Sequence, residues 1–84
     1  MRPEDVLPNG VDSTAINGHT VRKGSVAAFV ANAVQLDDLS EGTPEYEALI
    51  AQMRELAPAL RTIGLVDVFE ARSPVVQRIL AEAA

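Results

Sequence analysis

A chain of 84 residues with no cysteine and a single histidine, His19, is one domain whose small core has neither disulfides nor a histidine–cysteine zinc site to supplement it. Twelve acidic against seven basic residues, a formal charge of −5, argue against duplex nucleic acid as a partner, because phosphate contacts need clustered cations. No apolar run approaches the roughly 20 residues that span a bilayer, so association with another protein or a second copy is the remaining source of added stability.

Residues 1–13, MRPEDVLPNGVDS, hold two prolines, an Asn-Gly pair and three acids, a composition that predicts an extended arm ahead of a globular domain over 14–84. Asn17-Gly18 then lies between two β-compatible runs, Thr14 to Ile16 and His19 to Arg22. A type I′ turn needs positive φ at both central residues, which Asn and Gly tolerate, so the stretch predicts a β-hairpin. Two strands alone are marginal in water, and this pair needs helices or a third strand.

Ser25 to Leu39 reads as a helix with Ser25 as N-cap. Val26, Phe29, Val30, Ala33 and Val34 share one face at helical spacing. Ala27, Ala28 and Ala31 cover much of the rest, so the helix is expected at the centre of the fold, surrounded by its own chain or by a second copy. Asp37 and Asp38 oppose the dipole at a helix C-terminus, so either the helix ends by Leu36 or the acids meet an arginine. Arg22 and Lys23 followed by VAAFVA and Ala31-Asn32-Ala33 imitate a signal peptide, but the apolar middle is too short and Glu4, Asp5 and Asp12 precede it.

Thr43-Pro44-Glu45 is the clearest helix start, with a threonine cap, proline at the first helical position and acids in the first turn. Leu49, Met53, Leu56, Leu60 and Ile63 recur at spacings of 4 and 3. Pro58 predicts a kink or break near Ala57, and the unbroken phase of the seam favours a kink over two helices. Gly64 suits the position after the helix end. Leu65 to Arg72 fits two structures: a short third strand near 65–69, or a short helix in which Asp67 and Glu70 form a capping-box pair around Phe69. Ser73-Pro74 repeats the cap-then-proline start, and Val75, Val76, Ile79, Leu80 and Ala83 form one apolar face of a last helix.

Three groups of polar residues invite a chemical role. Arg22, Lys23 and Ser25, two cations before a glycine and a helix start, are the candidate anion-binding set, although their order does not match a phosphate loop. His19 has no nucleophile that sequence places beside it, and it is expected as an ordinary edge-strand histidine. Asp37, Asp38 and Glu41 lack the frame of a calcium loop and are expected as a solvated helix end. No catalytic, cofactor-binding or metal site follows.

The expectation is therefore an α+β fold, a small N-terminal hairpin followed by three helices. Its predicted role is that of a non-catalytic interaction or assembly module, with Phe29, Leu49, Met53, Leu56 and Leu60 as candidate interface residues. The partner is another protein, foremost a second copy, and neither nucleic acid nor membrane. Cysteine-free composition and arginine in six of seven basic positions predict a bacterial, cytoplasmic setting. Small-anion binding at the helix start of Ser25 is the alternative function.

Overall fold

The computed structural model describes residues 13–16, 19–22 and 24–83. The arm expected over 1–13 lies outside them except for Ser13, as do the turn residues Asn17 and Gly18 and the candidate Lys23. Two four-residue strands, β1 (Ser13–Ile16) and β2 (His19–Arg22), run antiparallel with Ser13 opposite Arg22 and Ile16 opposite His19. Four helices follow: α1 (Ser25–Leu36), α2 (Pro44–Thr62), α3 (Leu65–Val68) and α4 (Pro74–Glu82).

The α+β expectation is corrected by where the core lies. Every residue of the buried cluster belongs to a helix. Val21 of β2 is buried but stands outside that cluster. An α+β domain needs a sheet broad enough to act as a layer, and residues 65–68 form the single turn α3 rather than a third strand. The two short strands among the described residues cannot supply that layer, so the described fold is helical.

Local chemistry explains the helix boundaries. The Thr43 hydroxyl accepts from the Tyr46 N–H at 3.3 Å and donates to the Ser40 carbonyl at 2.8 Å, which fixes the entry to α2 with Pro44 at its first position. Ser73 repeats the arrangement for α4, accepting from Val76 N–H at 3.4 Å. Ser25 does not cap α1 in the expected way. Gly24, at φ 86° and ψ 0°, holds the N-cap position, and Ser25 is the first helical residue and buried. The other end of α1 winds off in two tight turns, Asp38 N–H to Gln35 and Leu39 N–H to Leu36, with Asp37 at the C-cap. The helix therefore ends at Leu36, and the two acids stand exposed just past it, where water screens their opposition to the dipole.

α2 is the central element, the place expected for α1. It continues through Pro58 as one helix, and α1, α3 and α4 all pack on it. Met53, Ala57 and Leu60 are fully enclosed, with Tyr46, Leu49 and Ile50 completing the buried line. Phe29 and Leu36 approach from α1, and Val76, Ile79 and Leu80 from α4. Enclosing a Met or Leu side chain contributes about 1.5–3 kcal/mol, so this line is the main stabilising feature. Gly64, at φ 88°, ends α2 and opens α3, a backbone region that only glycine enters without strain. The Arg61 guanidinium donates to the Leu80 carbonyl at 2.9 Å and ties α2 to the last turn of α4.

Candidate interaction surface

α1 turns about 100° per residue, and its exposure pattern identifies the inward side. Ser25, Phe29 and Leu36 are buried there, flanked by half-buried Asn32 and Ala33. Asn32 donates its amide to Gln52 of α2 at 3.4 Å, which fixes that flank. Of the five residues expected to share one face, Phe29 is buried and Ala33 half-buried, while Val26, Val30 and Val34 lie on the exposed side. Phe29 and Leu36 carry the largest side chains of the helix, so turning them inward buries more apolar surface than turning in three valines.

The consequence is an outward face with almost no polar group. Val26, Val30 and Val34 form a row along the helix, with 51% of Val30 and 65% of Val34 accessible to solvent. Ala27, Ala28 and Ala31 are also exposed, and Gln35 alone interrupts them. Amphipathic surface helices carry the opposite pattern.

Beside this row runs a groove of about 340 Å³. Its floor is Phe29 with Val76 and Leu80 of α4, and its walls are Val30 and Val34 on one side and Leu65, Val66 and Phe69 on the other. Asp37, Glu70 and Arg72 stand at its rim. The wall after α3 is held by two hydrogen bonds, Phe69 N–H to the Leu65 carbonyl at 2.8 Å and the Gln77 amide to the Ala71 carbonyl at 2.6 Å. From that anchored backbone Phe69 extends at φ −118° and ψ 151°, leaving its side chain 66% exposed, next to Val68 at 76%.

The candidates named from sequence fall elsewhere. Phe29, Leu49, Met53 and Leu60 are buried and Leu56 half-buried, so these five pack in the chain's own core, and of them only Phe29 also lines the groove. Arg22 ends β2 opposite Ser13, while Ser25 is buried behind Gly24. His19 pairs with Ile16 across the strands. Asp37, Asp38 and Glu41 are exposed, and among the described residues no group of three or more acids, histidines or cysteines is placed to hold a metal. Nor is any described helix long and apolar enough to cross a membrane. Phe69, the largest exposed side chain of the surface, is not marked as a surface residue by the sequence, because residues 65–72 fit strand and helix equally. Its signal was the pair Val68-Phe69, two large apolar residues between the charged Asp67 and Glu70. Comparisons with protein-family models, with curated proteins and with solved structures gave no match to this chain.

Proposed function

We propose that this protein is a non-catalytic assembly module that works as a homodimer through the outward face of α1. The observation that carries the proposal is the solvent-facing half of that helix, where Val26, Val30, Val34, Ala27, Ala28 and Ala31 are relieved by one polar side chain, Gln35. Contiguous apolar surface of this kind marks interaction sites, whereas scattered single residues do not. Small domains without disulfides or metal commonly gain stability by association, which favours a second copy. The cytoplasm of a bacterium is the proposed setting, on the cysteine-free, arginine-rich composition. Of the alternative anion-binding set, Ser25 is buried rather than presented to solvent, and Lys23 lies outside the described residues.

Sedimentation equilibrium from low to high micromolar concentration tests the proposal. The expected result is a reversible shift from the 8.9 kDa chain to twice that mass. A single 8.9 kDa species at high micromolar concentration would overturn it.

A further inference from the structure

We infer that Phe69 of each copy inserts into the groove between α1 and α4 of the other, in a reciprocal contact across a two-fold axis. The inference rests on the homodimer proposed above and names the contact that would hold it together.

The projecting ring and a hollow of suitable size lie on one face. A two-fold interface requires that combination, because the same patch must supply both complementary parts. Phe69 projects from a backbone fixed by hydrogen bonding to Leu65, while most of its side chain faces solvent. The groove beside it, about 340 Å³, has Phe29, Val76 and Leu80 as its floor. A dry cavity of roughly 150 Å³ is enough for a benzene ring, so one phenyl group fits with room for part of Val68. The connection from α3 holds Phe69 in the wall of its own groove, with most of its side chain left exposed.

Charge and area favour a second copy as the occupant. The rim holds two acids, Asp37 and Glu70, and one base, Arg72. That mixture can pair with itself when rotated, Arg72 of one copy facing an acid of the other, whereas the chain as a whole carries −5. Phe69 would surrender roughly 100–160 Å² of the about 800 Å² that each partner of a specific complex gives up. Val30, Val34 and Val68 extend the apolar centre, and the three charged residues form a polar rim around it, the usual anatomy of an interface.

The chain contains no tryptophan and one tyrosine, Tyr46, so Phe69→Trp places its one indole, excited selectively at the red edge, at the contact. As protein concentration rises through the dimerisation range, its emission is expected to move to shorter wavelength. Phe69→Ala is expected to raise the dimer Kd at least tenfold while the helical circular dichroism is unchanged. A wild-type dimer whose Kd is the same in Phe69→Ala, or a Phe69→Trp dimer whose emission stays that of an exposed indole, overturns the inference and leaves the homodimer standing. A monomeric wild type overturns both. A blue shift produced by decanoate or a basic amphipathic peptide, and not by protein concentration, also overturns it by assigning the groove to another occupant.

Discussion

Phe29 and Val34 sit five residues apart on α1, and alanine at each should have opposite consequences. Phe29 is buried against α2 and α4, so Phe29→Ala removes a ring from a packed core, at a cost of about 3–5 kcal/mol. A domain of this size has only about that much to lose, and the variant should be largely unfolded at 25 °C. Val34→Ala deletes two methyl groups that are 65% accessible. At about 0.8 kcal/mol per buried group, covering that exposed fraction in a dimer is worth about 1 kcal/mol per copy. Two copies make about 2 kcal/mol, roughly a 30-fold rise in Kd. The monomer itself should be no less stable, because alanine is a better helix former than valine by up to about 0.7 kcal/mol. Circular dichroism in urea reads the fold, and sedimentation equilibrium reads the association. A Val34→Ala dimer with a Kd within threefold of wild type would refute the interface; a Phe29→Ala protein that unfolds at the wild-type urea concentration would refute the orientation of α1.

Three further substitutions probe the helical framework. Pro58→Ala gives residue 58 an N–H for the Arg54 carbonyl and removes a steric conflict, less the restriction that proline places on the unfolded chain. A net gain of about 1–2 kcal/mol is expected, with Tm rising by roughly 4–8 °C per kcal/mol in a calorimetric scan, and an unchanged or lower Tm would mean that the packing of Ala57 and Leu60 depends on the proline. Gly64→Ala should cost about 1–2 kcal/mol in urea unfolding, because φ is 88° while the added Cβ would lie an ordinary 3.6 Å from the Asp67 carboxylate, leaving backbone strain as the whole cost. Thr43→Ala should cost about 0.5–2 kcal/mol by the same measurement, and Thr43→Asp should retain most of the stability, since an aspartate can accept from the Tyr46 N–H in the same way.

What was legible in the sequence was whatever a few neighbouring residues decide between themselves. Thr43-Pro44 and Ser73-Pro74 specify helix starts through their own hydroxyls and fixed φ, and both helices begin there. The phase of the seam across Pro58 likewise foretold one continuous helix. The failures concern choices that distant neighbours make. Asn17-Gly18 carries turn chemistry but does not tell whether the adjoining strands become a layer of the core. A helix as uniformly apolar as α1 has no polar side to orient it, so Val26, Val30 and Val34 fit the helical period as well as Phe29 and Leu36 do. Only the packing of α1 on α2, a distant stretch of the chain, decides between them. The surface is hidden for the same reason: nothing local separates an apolar side chain that the chain's own helices enclose, such as Met53 or Leu60, from one that stays exposed, such as Val30 or Val34.

Salt distinguishes a second copy from any basic partner at this surface. Two copies of net charge −5 repel over their whole volumes, even where the contacting rims are mixed in sign. With the chain's shorter principal extents at 25 and 20 Å, placing the two charges roughly 25 Å apart in water gives about 4 kcal/mol of unscreened repulsion. The Debye length is about 30 Å at 0.01 M ionic strength and about 10 Å at 0.1 M, so screening leaves about 1.8 kcal/mol in the first case and about 0.3 kcal/mol in the second. Dimerisation driven by apolar contact should therefore tighten roughly tenfold over that range. A basic helix drawn to the acidic chain would show the opposite slope, weakening as salt rises. Sedimentation equilibrium at the two ionic strengths reads the sign directly, and self-association that weakens with salt would mean that the contact is electrostatic and does not use the valine row of α1.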